Sequence, residues 1–236
     1  GANLSGAVLD KAIFTDAKLE QADFRDASML YANCNGAALR SADFRLTKAC
    51  AANFADANLR DANCIGADFR KANFHRAKLR GANLRHCKLR EADLSSARMK
   101  EVDFRDANLT MANLSGAELV KTKFCEANLG RANFRGADLR NADLRTSNLH
   151  EAVLADADLS GANLSAANLR DAQSSEATFN GAMLRKTDLS GADFTGANLS
   201  GCRMWGARLT GASFSRCNMS LMHRIYIGFQ LGFRSA

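Results

Sequence analysis
Proline is absent from all 236 residues, and tryptophan occurs once. Every residue therefore keeps a backbone N–H able to donate, and the composition does not suit an irregular, loop-rich globular domain. No run of about 18 apolar residues occurs, which excludes an ordinary membrane-spanning helix, and no charged-then-apolar leader marks a secretory signal. The seven cysteines form no CxxC or CxxxxC pair and no Cys/His cluster, so no metal site is expected. Neither a P-loop nor a GxGxxG motif is present, and no cofactor is expected. His75, His86, His150 and His223 are widely spread. With no Ser/His/Asp or Cys/His arrangement at a workable spacing, no catalytic residue and no small-molecule substrate are expected.

What is present is a period. Written in fives from Ala2, as ANLSG, AVLDK, AIFTD, AKLEQ, ADFRD, the frame runs to Met219 without insertion or deletion. Of the 44 central residues, 24 are Leu, 12 Phe, 4 Met and 2 Cys, leaving Ala49 and Ser174. The first position is Ala in 36 of the 44 fives, and its exceptions, such as Thr47, Cys87 and Val102, are small. A 3.6-residue helix would spread the central residues round every side, so no buried stripe could form. A chain that turns a corner every five residues can point its first and third positions inward together, since they stand two apart on an extended segment. Fourteen of the 17 glycines occupy the fifth position, where a tight corner favours φ > 0. Asp or Asn is common at the second, where a short polar side chain can bond nearby backbone.

The pattern A-(D/N)-(L/F)-x-x, seen at Ala22-Asp23-Phe24, Ala82-Asn83-Leu84 and Ala192-Asp193-Phe194, resembles the pentapeptide-repeat family over residues 2 to about 221. The resemblance implies an all-β fold, a right-handed quadrilateral β-helix with four fives per coil. Forty-four fives make about 11 coils of 20 residues, and at about 4.8 Å per coil the rod is roughly 50 Å long. Sorted by coil, ten of the twelve central Phe fall in two columns, those of Leu4 and Phe14. These columns are two faces apart, so Phe-lined walls should oppose each other. Ala49 lies next to Phe69 in its column, and a larger neighbour is expected to fill the gap. Ser174 is expected to be a bonded or hydrated core defect.

The net charge of +7 and pI near 9.2 favour acidic partners. Its distribution is uneven: residues 61–100 carry ten Lys or Arg against four Asp or Glu, and residues 141–180 carry two against six. Fourth-position cations stack coil upon coil as Arg25, Arg45, Arg85, Arg105 and Arg145 on one face, and Arg40, Arg60, Arg80, Lys100 and Arg140 on the adjoining one. These ten are the candidate partner-binding residues. Asp23, Asp43, Asp103, Asp138 and Asp143 stand in the second positions of the same faces and should pair part of that charge.

The reading that follows is a non-catalytic interaction or scaffold module presenting an Arg-rich face to an acidic protein. Nucleic acid is a weaker alternative, since Tyr31, Trp205 and Tyr226 are too scattered to make a stacking platform. Some bacterial members of the resembled family mimic B-DNA and bind DNA gyrase, a role that needs an acidic rod. An accessory domain of a larger protein is the third alternative. Residues 1–221 are read as the repeat and 222–236 as a capping or homodimerisation segment. The alternation of Ile225, Ile227, Phe229, Leu231 and Phe233 points to a strand there, with a short apolar helix left open. Cys34, Cys64, Cys87, Cys202 and Cys217 fall inward and Cys50 and Cys125 outward, as free thiols of a reducing, cytoplasmic compartment. The chain starts at Gly1 inside a repeat, so it is read as a piece of a longer sequence, from which any targeting signal would be missing.

Overall fold
The computed structural model describes residues 1–230. Each five makes one short bridge and one turn, and the five starting at Ala22 illustrates the rule. The Asp23 N–H donates to the Ala2 carbonyl one coil back (2.9 Å), while Phe24 and Asp26 donate to the Asp43 and Arg45 carbonyls one coil on (2.8 and 3.0 Å). The Ala27 N–H returns to the Phe24 carbonyl at 3.0 Å and closes a β-turn. That leaves the fourth-position N–H of Arg25, which donates to Asp23 Oδ1 at 3.0 Å. Where the second position is Asn or Asp, it is therefore the acceptor that completes the donor set of its five. The same contact recurs at Asn53–Ala55 (3.1 Å), Asn113–Ser115 (3.2 Å) and Asn163–Ser165 (3.0 Å).

The bridges are parallel and join each second-position residue to the one twenty further on, from Asn3↔Asp23 to Asn198↔Asn218. Four fives thus make one coil, the register on which the surface columns depend. Every fifth residue from Gly6 to Arg216 takes positive φ. Because φ is positive only at the third residue of each four-residue turn, the turn follows the type II pattern. Most corners hold glycine or a short or unbranched polar residue; Thr146, at φ 57, is a β-branched exception.

First and third positions are buried along nearly the whole rod. Each buried Leu or Phe side chain stabilises the fold by roughly 1.5–3 kcal/mol, so the central columns carry most of its apolar stabilisation. The faces are numbered I to IV by the central residues Leu4, Leu9, Phe14 and Leu19 of the first coil. Phe24 stacks on Phe44 at 4.8 Å on face I, and Phe54 on Phe74 at 5.0 Å on face III. Phe44 and Phe54 meet edge to face across the interior, with centroids 5.8 Å apart. The Phe walls therefore do oppose each other.

Two of the twelve central phenylalanines lie off these walls, and each stands beside a small centre. Phe69 contacts Phe44, Phe54 and Phe74 at 6.3, 5.6 and 5.1 Å, next to Ala49 in its column. Phe179 follows Ser174 in the chain and meets Phe194 at 5.4 Å. Volume missing at one centre is thus restored by a larger neighbour, as close packing demands. Of the two forms expected at Ser174, bonded or hydrated, the protein bond is absent: its Oγ is buried and has no protein hydrogen-bond partner. The first-position hydroxyls behave differently, Thr47, Thr122 and Thr187 donating to the Phe24, Met99 and Leu164 carbonyls at 2.7, 2.9 and 2.8 Å. A hydroxyl at the first position reaches a backbone carbonyl, of the coil below for the three threonines and of Leu144 (2.7 Å) for Ser147, whereas one at a central position points into side chains.

After the last coil the chain does not run on as a strand. Leu221–Gln230 form an α-helix, α1. Ser220 starts it, accepting the Arg224 N–H on its carbonyl at 3.1 Å and the His223 N–H on its Oγ at 3.3 Å, as an N-cap does. Helical spacing then turns His223, Tyr226 and Ile227 to one side. Ile227 is buried against the core, and the Gly206 N–H donates to the Tyr226 hydroxyl at 3.2 Å. Ile225, which a strand would have placed beside Ile227, is exposed. Leu231 and Phe233, the remainder of the alternation, lie outside the described residues.

Candidate interaction surface
Second and fourth positions form the outer surface, and the twenty-residue register stacks them in columns. The candidate cations stand where the frame puts them, Arg25, Arg45, Arg85, Arg105 and Arg145 in one column of face I, and Arg40, Arg60, Arg80, Lys100 and Arg140 in one column of face IV. Their electrostatic states differ. Arg25, Arg45, Arg105, Arg140 and Arg145 each fold back on the carboxylate two residues earlier, with Nη2–Oδ2 distances of 2.6, 2.6, 2.6, 2.7 and 2.7 Å. Arg40 reaches Asp61 at 3.5 Å and Arg80 reaches Glu101 at 3.7 Å, each a corner carboxylate one coil on.

The carboxylates record these contacts. The hydrogen bond from Arg25 holds Asp23 at about 2, well below its ordinary 3.8, and the Arg140 hydrogen bond lowers Asp138 in the same way. At Asp143 partial burial pulls upward, but hydrogen bonds from Arg145 and Cys125 outweigh it and the value falls.

Arg60, Arg85 and Lys100 have no ion-pair partner among the described residues. Arg85 is the most exceptional, since its Nε is buried without a hydrogen-bond partner. The cause is local: its second-position neighbour is Asn83, whose Oδ1 takes the Arg85 backbone N–H at 3.3 Å and offers no charge. Lys78 and Arg98 stand in the second-position column of face IV, and the next residues up that column are Glu118, Asp138 and Asp158. Face IV thus changes sign along its length.

Face III is the least charged, and asparagine ladders run on faces II and III. Asn53 donates its amide to Asn33 at 3.1 Å, Asn133 to Asn113 at 3.2 Å, and Asn148 to Asn128 at 3.2 Å. These ladders use side-chain donors within the protein; face II nonetheless carries Lys48, Arg70, Lys88 and Arg90, with Arg70 paired to Asp68 at 2.7 Å.

One grouping escaped the sequence. Helix α1 brings His223 Nε2 to 4.0 Å from Cys202 Sγ, with Ser220 Oγ 2.9 Å from His223 Nδ1. The pair borders an apolar cleft of about 390 Å³ lined also by Trp205, Met222 and Tyr226. Burial pushes the Cys202 thiol up to about 12, so it stays protonated near neutral pH and is a poor nucleophile. Spacing alone carried no signal for it, because the contact exists only once the chain reverses over the final coil. Among the described residues no group of three His, Cys, Asp or Glu could hold a metal ion, and no helix is long and apolar enough to cross a membrane.

Parallel one-bridge strands, a corner every fifth residue and a twenty-residue coil define a β-solenoid made of five-residue units. The chain belongs to the pentapeptide-repeat family: a pentapeptide repeat region matches residues 57–134, and pentapeptide repeats match residues 1–26, 14–45, 127–165, 157–196 and 192–221. Among solved structures, the chain is similar to HetL, a pentapeptide repeat protein involved in heterocyst differentiation regulation from the cyanobacterium Nostoc sp. strain PCC 7120. Identity is 31%, covering 90% of this chain and 89% of that one, at a TM-score of 0.43. A trypsin-treated form of QnrB1, a plasmid-mediated fluoroquinolone resistance protein, is 19% identical over 80% of this chain and 95% of its own, with a TM-score of 0.64, a likeness of fold. A pentapeptide repeat protein from the Arabidopsis thaliana thylakoid lumen is 30% identical over 51% of this chain and 73% of its own, with a TM-score of 0.28. No curated protein matches.

Proposed function
We propose that this chain is a non-catalytic interaction module, a right-handed rod of about eleven coils whose cationic columns receive an acidic protein. The observation that carries the reading is the contrast within those columns. Most of the arginines already hold a carboxylate, whereas Arg60, Arg85 and Lys100 hold none, and the Arg85 Nε is buried with its donor unspent. An unpaired, partly desolvated guanidinium gains most from a carboxylate supplied by another molecule. Around it residues 61–100 carry a charge of +6. Paired arginines elsewhere set the register and hold side chains still, contributing little attraction of their own. Helix α1 is read as the cap of the last coil, and exposed Leu221, Met222 and Ile225 as a second, apolar contact for a like chain. The free thiols fit a reducing compartment such as the cytoplasm.

The test is fluorescence anisotropy with a labelled poly-glutamate peptide. Binding should weaken as salt rises and fall at least about tenfold in Arg60→Glu/Arg85→Glu/Lys100→Glu, with circular dichroism unchanged. Equal binding by that variant would sink the reading. Tighter binding to duplex DNA than to poly-glutamate would favour a nucleic-acid surface, and inhibition of gyrase supercoiling would favour a topoisomerase binder.

A further inference from the structure
Face IV is flat, parallel-bridged and divided by charge. Going up its second-position column, Asn58, Lys78 and Arg98 are followed directly by Glu118, Asp138 and Asp158. Arg98 and Glu118 are exposed, and Lys78, Asp138 and Asp158 are half-buried. Lys78, Arg98 and Glu118 take part in no ion pair among the described residues. Two cations stand directly below the point of reversal and three carboxylates directly above it, and that point falls between Arg98 and Glu118, near the middle of the rod.

That arrangement is complementary to itself. When two rods lie face to face and antiparallel, related by a two-fold axis in the interface and along the strand direction, second positions meet second positions in reversed coil order. With the axis between Arg98 and Glu118, Arg98 meets Glu118 of the other copy, Lys78 meets Asp138 and Asn58 meets Asp158. Each contact occurs twice, as an isologous interface requires. A slip of one coil between the rods moves the axis half a coil and would set either Glu118 or Arg98 against itself, so charge selects this register. In the fourth-position column Arg80 meets Arg140 of the other copy; Arg80 already holds Glu101, and Arg140 lies 2.7 Å from Asp138 and 3.8 Å from Asp158, so it shares both carboxylates with the incoming Lys78 and Asn58. The area suits the task too. A face five residues wide at about 3.3 Å and roughly 50 Å long offers about 800 Å² per partner, the size of an ordinary stable interface.

We propose that face IV is a self-association surface, and that the acidic partner of its cationic half is the acidic half of a second, antiparallel copy of this chain. The inference rests on reading the cationic columns as a binding surface and names the occupant of one of them.

Sedimentation equilibrium tests it by charge exchange. The natural chain should dimerise, more weakly as salt rises. Lys78→Glu/Arg98→Glu and Glu118→Lys/Asp138→Lys should each lose the dimer, with dissociation constants raised at least about 100-fold by like charges brought together. Mixed in equal amounts, the two variants should regain it, since every contact then pairs opposite charges. A monomeric natural chain, a dimer indifferent to both variants, as association through α1 would give, or a mixture that stays monomeric would each overturn the proposal. The acidic-partner reading is separable. A monomer that still binds poly-glutamate through Arg60, Arg85 and Lys100 overturns self-pairing alone. A dimer obeying the charge exchange that fails to bind poly-glutamate leaves self-pairing standing and removes the broader reading.

Discussion

Residues 61–100 carry ten Lys or Arg against four Asp or Glu, and residues 141–180 carry two against six, yet the two stretches make the same backbone bonds. Asn73 accepts the His75 N–H at 2.9 Å in the first, and Asn163 accepts the Ser165 N–H at 3.0 Å in the second. Phe74 and Leu154 are equally buried centres of the same face. The difference teaches which positions the fold spends and which it leaves open. First and third positions fill the interior, the second completes the hydrogen bonds, and the fifth must tolerate positive φ. The fourth position is free, and charge is borne there, at second positions, and at corners such as Glu151, Asp156, Asp171 and Glu176, where only the positive φ is demanded.

If that division holds, core changes should cost alike in both stretches. Phe74→Ala should lower stability by about 3–5 kcal/mol and Leu154→Ala by about 2–5 kcal/mol in chemical denaturation. A near-zero cost in one stretch would break the comparison by showing that its core does not carry the fold.

Ser174 belongs to the acidic stretch and is its weakest core position. Ser174→Ala should stabilise by about 1 kcal/mol, because it removes an unpartnered buried hydroxyl. Thr187→Val, which deletes a hydroxyl bonded to the Leu164 carbonyl, should destabilise by a similar amount. Equal signs in thermal denaturation would contradict the assignment of Ser174 as unsatisfied.

Next in size, Asn73→Ala and Asn163→Ala should each cost about 1 kcal/mol by orphaning a fourth-position N–H. Replacement by Asp at the same sites should cost less, since the acceptor remains. A loss confined to one stretch would mean the surrounding charge, and not the backbone, sets the requirement.

Smallest of all is the titration of the braced carboxylates. Burial raises Asp68 and Asp143, but hydrogen bonds from Arg70 and Arg145 prevail and leave both below the usual carboxylate range. Their contribution is present above the ordinary value and is lost as pH falls through the depressed ones. Carboxyl carbon NMR should find both low, and Arg70→Ala or Arg145→Ala should return the neighbouring Asp to the ordinary range or above it. An Asp that stays depressed without its arginine would show that backbone donors, not the ion pair, govern it.

Much of this was legible in the one-dimensional pattern. A period of five with Ala and Leu or Phe two apart implies two inward positions per segment, and the Phe columns imply four segments per coil. The cationic columns followed from the same arithmetic. Pairing across the corner did not, because Arg40–Asp61 and Arg80–Glu101 join residues twenty-one apart whose proximity depends on how far a side chain bends round the turn. Helix α1 was hidden for another reason. Ile225 and Ile227 alternate as a strand would, while the decisive sign is Ser220 as an N-cap, here followed three residues later by His223 in place of the more familiar Glu or Gln.

The twenty-residue register also makes the surface a matter of phase. Removing any one five would leave every ladder and turn donor with an equivalent carbonyl, since the fives share the same backbone-to-backbone bonds. Everything after the deletion would nevertheless rotate a quarter turn about the rod. A cut between Arg98 and Glu118 would carry the acidic arm of face IV onto a neighbouring face, while a cut of twenty would shorten the rod by about 4.8 Å and keep each column aligned. Length in this molecule is counted in fives, but the identity of a face is kept only in twenties.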